Sequence, residues 1–119
     1  MKRIIVTLLA VIAPFSQALS QEEATLSSLI ERDGIFYDSS GIEPFTGLVV
    51  EYYENGQPKS ASDYEDGEKH GLGTTWYRDG SIHREVEYHY GERHGLWMSW
   101  SRDEELLFAY TYDEGKRIQ

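Results

Sequence analysis

A 24-residue repeat constrains this chain more than any other feature. From Gly47 the sequence divides without a gap into three equal blocks, 47–70, 71–94 and 95–118. Gly47, Gly71 and Gly95 open the blocks, each followed by leucine at Leu48, Leu72 and Leu96. Aromatics recur at Tyr52, Trp76 and Trp100, and again at Tyr64, Tyr88 and Tyr112. Gly67, Gly91 and Gly115 come near the block ends, and a basic residue stands two places later at Lys69, Arg93 and Arg117. At this period each block is one supersecondary unit, which buries apolar surface only by stacking on its neighbours.

Each block reads as one β-hairpin. Leu48 to Tyr53 is rich in β-branched and aromatic residues, which suit a pleated surface. Asn55-Gly56 follows, a dipeptide that favours a hairpin turn, and Asp79-Gly80 takes its place in the second block. Asp103-Glu104 stands there in the third, so that turn is expected to be looser or of another type. A second strand is expected from about Lys59, after Pro58 has removed one backbone donor, to Tyr64, with Asp66-Gly67 beginning the return turn. The expected fold is all-β: a meander of consecutive antiparallel hairpins in one elongated, twisted sheet. Upstream, residues 35–46 read as a degenerate first repeat that starts at Ile35-Phe36-Tyr37 and carries a three-residue insertion. Residues 21–34 read as a linker or short helix, with Leu26, Leu29 and Ile30 at helical spacing.

The strings YEDGEKHGLG (64–73) and YRDGS (77–81) resemble the MORN (membrane occupation and recognition nexus) repeat. The combination of an aromatic, an Asn-Gly turn and Gly-x-x-His-Gly is closer still to a bacterial variant, the YwqK-type antitoxin family. The resemblance covers about Ile35 to Arg117, and it implies stacked antiparallel hairpins and a role as an interaction scaffold. Glu104 replaces the turn glycine, and Ile118 replaces the histidine found at His70 and His94, so the last unit departs from the pattern.

Strand side chains alternate between faces, and 24 is an even number. Leu48, Val50 and Tyr52 are therefore expected to share a face with Leu72, Thr74 and Trp76 and with Leu96, Met98 and Trp100. Ile82, Val86 and Tyr88, with Leu106, Phe108, Tyr110 and Tyr112, are expected to join them from the second strands. Glu51, Thr75, Ser99, Glu85 and Glu87 would then form a polar face. A single layer does not bury an apolar face by itself. Either the N-terminal segment and curling of the sheet turn these rings into core, or a partner covers them. On the second reading the partner-binding residues are Tyr52, Trp76, Trp97, Trp100, Tyr64, Tyr88 and Tyr112, since Trp and Tyr are the usual anchors of interfaces.

The start of the chain has another character. Lys2 and Arg3 precede the uncharged run Ile4 to Ala13, and Ser16, Ala18 and Ser20 supply small residues after Pro14. These are the parts of a signal peptide spanning residues 1–20, with cleavage fitting after Ala18 or after Ser20. The apolar run is too short to cross a bilayer as a helix. An exported chain, periplasmic or secreted, is the expectation. The whole sequence carries 11 basic and 21 acidic residues; losing Lys2 and Arg3 leaves 9 and 21, a net charge of −12. Such a chain repels phosphate backbones and anionic headgroups, so neither nucleic-acid binding nor electrostatic membrane docking is expected, and the short apolar run gives no stable membrane insertion. Without cysteine there is no disulfide and no thiol nucleophile.

No metal or other cofactor is expected. His70 and His94 are repeat-equivalent and lie roughly 10 Å apart across two strand spacings, too far to share a zinc ion directly. His83 and His89 have no partner at ligand spacing. No Gly-x-Ser-x-Gly elbow, phosphate-binding glycine loop or His-Glu-x-x-His occurs, and no carboxylate pair stands out, so the expected protein is not an enzyme. The function expected from sequence is an exported, non-catalytic module that binds a partner protein or acts as an envelope scaffold, with self-association open. The alternative is an antitoxin or immunity protein, whose acidic charge would suit a basic toxin.

Overall fold

A computed structural model describes residues 22–119; the signal-peptide reading of 1–20 lies outside them. Among the described residues eleven strands form: β1 (Glu23–Thr25), β2 (Ile30–Arg32), β3 (Ile35–Tyr37), β4 (Gly47–Tyr52), β5 (Pro58–Glu65), β6 (Glu68–Trp76), β7 (Ile82–His89), β8 (Glu92–Arg93), β9 (Gly95–Trp100), β10 (Leu106–Asp113) and β11 (Lys116–Arg117). The main sheet runs in the order β1-β4-β5-β6-β7-β9-β10-β11, with β8 also beside β7, while β2 and β3 make a small separate hairpin. From β4 onward every pairing is antiparallel, and the strands follow chain order except that β7 pairs with both β8 and β9.

Two kinds of turn alternate. Asp66-Gly67, Tyr90-Gly91 and Glu114-Gly115 are two-residue connections with positive φ at both positions, the geometry of a type I′ turn. Each turn glycine donates to the carbonyl one unit back: Gly67 to Phe45, Gly91 to Lys69 and Gly115 to Arg93, at 2.8–2.9 Å. The wider turns sit at Asn55-Gly56 and its equivalents. There Gly56 donates to the Tyr53 carbonyl and Tyr53 N–H donates to Gln57, with positive φ at the glycine alone. This is a type I turn followed by a left-handed residue, the three-residue hairpin loop that carries a bulge.

The third wide turn is the same turn. Glu104 N–H donates to Ser101 at 2.9 Å, Ser101 N–H donates to Glu105 at 2.9 Å, and Glu104 takes φ 65 where Gly56 and Gly80 have 90 and 95. The expectation of a looser turn is thus corrected: flanking strand pairing holds Glu104 in the left-handed region. Ser101 assists, its hydroxyl accepting from the amides of Asp103 and Glu105 at 3.2 Å.

The N-terminal segment holds no α-helix among the described residues. Residues expected as a linker or short helix instead form β1, a single 3-10 turn at Leu26–Ser28, and β2. Ser27-Ser28 breaks the apolar periodicity, and edge pairing to β4 recruits the residues before it. β1 runs parallel to β4, with Ala24 opposite Val49. A parallel pair needs a crossover, so the chain from 26 to 46 must pass over one face of the sheet. It delivers Leu26, Leu29 and Phe36 onto a core of Phe45, Val49 and Tyr64. Leu48, Val50 and Ala61 form a second core on the other side, with Trp76 packed against it.

Candidate functional site

Three bulges decide which side chains share a face. At the start of each second strand one residue has no opposite number: Lys59 between Pro58 and Ser60, His83 between Ile82 and Arg84, and Leu107 between Leu106 and Phe108. Strand parity therefore inverts just after each wide turn, since a one-residue slip moves every later side chain to the opposite face. Trp76 pairs with Ile82 and Trp100 with Leu106, as expected. Val86, Tyr88, Phe108, Tyr110 and Tyr112 do not join them, because they pair with Gly73, Gly71, Ser99, Trp97 and Gly95 on the other face. Glu85 and Glu87 go the opposite way, pairing with Thr74 and Leu72. The single aromatic face expected from sequence is corrected to two.

The leucine face carries Leu48, Leu72 and Leu96 with Tyr52, Trp76 and Trp100. Leu72 and Leu96 are 64% and 47% exposed, so this face stays wet over the second and third repeats. The tyrosine face carries Tyr64, Tyr88 and Tyr112 with Trp97, Phe108 and Tyr110. Tyr88 meets Trp97 edge-on at 5.3 Å between ring centroids, Trp97 meets Tyr112 at 5.4 Å, and Phe108 stacks on Tyr110 at 4.7 Å. Trp97 also donates from Nε1 to the Glu87 carbonyl at 2.8 Å, which fixes its ring against the sheet. Of the seven residues singled out from sequence, Tyr52, Trp76 and Trp100 thus lie on one face and Tyr64, Tyr88, Trp97 and Tyr112 on the other.

Coverage differs along the tyrosine face. The crossover seals the first repeat, where Tyr64 is 6% exposed and meets Phe36 edge-on at 5.6 Å. Tyr88, Trp97, Tyr110 and Tyr112 remain half-buried. Burial lifts the phenols of Tyr64 and Tyr88 above their ordinary value, in Tyr88 against the opposing pull of Arg93 and Arg84.

The repeated basic residues are the feature that sequence reasoning recorded but did not use. Lys69 lies opposite Tyr64, Arg93 opposite Tyr88 and Arg117 opposite Tyr112. Each cation also reaches a ring: Lys69 Nζ stands 4.9 Å from the Tyr88 centroid, and the Arg93 guanidinium stands 5.1 Å from Trp97 and 5.2 Å from Tyr112. Arg117 sits 3.5 Å above Tyr110, and Arg93 Nη1 is 3.2 Å from the Tyr112 hydroxyl. Cations and tyrosines alternate in one row across the strands.

His89, expected to have no partner at ligand spacing, has two histidine neighbours. His89 lies between His70 and His94, with ring centroids 5.0 and 5.2 Å away. His70 Nδ1 accepts from the Tyr90 amide at 3.1 Å, and His94 Nδ1 stands 3.9 Å from Asp113. Among the described residues no group of three or more potential metal ligands converges. His83, the bulge residue, stacks on Tyr77 at 4.5 Å. Burial and the neighbouring Arg84 charge hold its pKa below the ordinary histidine value.

Residues 45–66 and 69–90 match a family described as a MORN repeat variant. The two matched segments start 24 residues apart, in step with the sequence period. No curated protein and no solved structure matches the chain. The third block lies outside the matched segments, yet it forms the same hairpin, down to the hydrogen bonds of its wide turn.

Proposed function

We propose that this protein is an exported, non-catalytic repeat module that binds a partner protein through the half-exposed aromatic rows of its second and third repeats. One observation carries the reading: the crossover packs on Phe45, Val49 and Tyr64 and leaves Tyr88, Trp97, Tyr110 and Tyr112 half-buried. Aromatic rings already held rigid lose little entropy when a partner covers them, which is why Tyr and Trp anchor interfaces. Export rests on the signal-like residues 1–20. It predicts a mature N-terminus at Leu19 or Gln21, readable by mass spectrometry of the protein from an envelope fraction.

Capture from an envelope extract tests the binding. A protein retained by the tagged chain should be lost with Tyr88→Ala/Trp97→Ala if the tyrosine face binds, and with Trp76→Ala/Trp100→Ala if the leucine face does. Retention by both double variants, with unchanged far-UV dichroism, would sink the proposal.

A further inference from the structure

We infer that the tyrosine face of the second and third repeats accepts an acidic, extended polypeptide segment. This deepens the partner-binding reading and rests on it. The chain as a whole carries −10, yet its charges are sorted by face. Lys69, Arg84, Arg93 and Arg117 lie on the tyrosine face; the main-sheet carboxylate there is Glu51, which accepts from Ser60 Oγ at 3.1 Å, and the other acids on that side, Glu31, Asp33, Asp38 and Glu43, belong to the crossover over the first repeat. The leucine face holds Asp63, Glu68, Glu85, Glu87, Glu92 and Asp113, with Lys116 opposite Asp113. Two features produce this sorting: the two-residue return turns set each basic residue opposite a tyrosine, and the bulges place both on the face away from Glu85 and Glu87.

The net charge does not cancel this local field. The Debye length is roughly 8 Å at physiological salt, and a ligand on the tyrosine face has the cations on its own side and the strand acids across the sheet. A ligand on the tyrosine face therefore meets the nearby cations more strongly than the acids behind them. Lys69, Arg93 and Arg117 stand two strands apart in succession, about 10 Å from one to the next. A polyproline-type chain advances about 9 Å every three residues, so carboxylates at every third position match that interval. Between the cations the half-buried rings of Tyr88, Trp97 and Tyr112 offer surfaces for the intervening residues.

Two other anionic partners fit less well. A nucleic acid carries one charge per roughly 1.7 Å and continues beyond a three-cation row. A flat anionic membrane would meet Asp66 and Glu114 in the return turns that border the row.

The test uses the purified full chain and a labelled twelve-residue peptide with Glu at every third position and Pro or Gln between. Anisotropy is followed at low and at physiological salt. Binding should weaken with salt. Arg93→Gln and Arg117→Gln should each weaken it about 2- to 5-fold, the range for exposed ion pairs, and Arg93→Lys should restore most of the loss. Glu85→Gln, on the other face, should leave it unchanged. A refused acidic peptide, equal binding of the Lys-for-Glu peptide, or indifference to the Arg93 and Arg117 changes would overturn the inference. So would tighter binding of a single-stranded oligonucleotide or of phosphatidylglycerol vesicles. If the acidic peptide fails while envelope capture still depends on Trp97, the charge assignment falls and the partner-binding reading stands. If the peptide binds but capture survives in both double variants, the broader reading falls instead.

Discussion

The Tyr53 hydroxyl donates a 2.7 Å hydrogen bond to the backbone carbonyl of Trp76, tying the wide turn of one repeat to the end of the first strand of the next. Tyr77 makes the same bond to Trp100 at 2.8 Å. Arg78 and Arg102 lie over these two tyrosine rings at 4.9 and 5.3 Å, closing a second set of cation-aromatic contacts at the far ends of the strands. Ser101 occupies the equivalent place in the third repeat, so the series stops there.

Tyr77→Phe removes the hydroxyl and keeps the ring. A net loss of about 1 kcal/mol is expected, the usual worth of one partly buried hydrogen bond. A urea-melt midpoint that does not move would show that water replaces the bond at no cost.

Glu104→Gly should stabilise the protein, because glycine takes positive φ without the steric penalty a side chain incurs. The gain should be about 1 kcal/mol, or a rise in Tm of about 4–8 °C for a domain of this size. A fall in Tm would mean that the Glu104 side chain makes a contribution larger than its backbone strain.

Gly67 and Gly115 share a φ of 86 but not their surroundings. A Cβ on Gly67 would run into Ile35 Cγ2 and lie 2.8 Å from the Phe36 carbonyl oxygen, whereas a Cβ on Gly115 meets nothing within 4 Å. Gly115→Ala should cost about 1 kcal/mol through backbone conformation alone. Gly67→Ala adds displacement of the β2–β3 hairpin and should cost clearly more. Equal denaturation midpoints would contradict the tight seat of that hairpin on the first return turn.

Alkaline titration probes the tyrosine face. Tyr64 and Tyr88 have folded-state pKa values above the ordinary 10.0, so the native state holds protons that the unfolded chain releases. Their contribution is complete below pH 10 and is lost as pH rises through the folded values. Stability should therefore fall above about pH 10, and less steeply in Tyr88→Phe. An unchanged slope in that variant would place Tyr88 in open solvent.

His83 acts in the opposite direction. Its pKa is depressed, so its contribution is present above the ordinary value of 6.5 and is lost as pH falls through the lower folded value. Removal of the imidazole in His83→Gln should flatten the stability curve just below pH 6.5, as read by urea melts across that range.

The positions of strands and turns were legible in the chain because they depend on local chemistry. Glycines at 24-residue spacing mark where positive φ is needed, and aromatic and β-branched runs mark the strands between them. Glu104 shows the limit of that reading: its own propensity opposes the turn, and pairing of Trp100 with Leu106 imposes it. The division of side chains between faces was not legible beyond the wide turns. Lys59, His83 and Leu107 look like ordinary strand residues, and only the hydrogen-bonded register shows that each is the extra residue of a bulge. Period-two alternation carries a one-residue error through the rest of the strand, so those three positions decide where Tyr88, Tyr112, Glu85 and Glu87 point. Coverage of the first repeat was likewise decided by long-range pairing of β1 with β4. The parallel direction of that pair forces residues 26–46 over the tyrosine face, and a segment with weak helical periodicity gives no local sign of such a path.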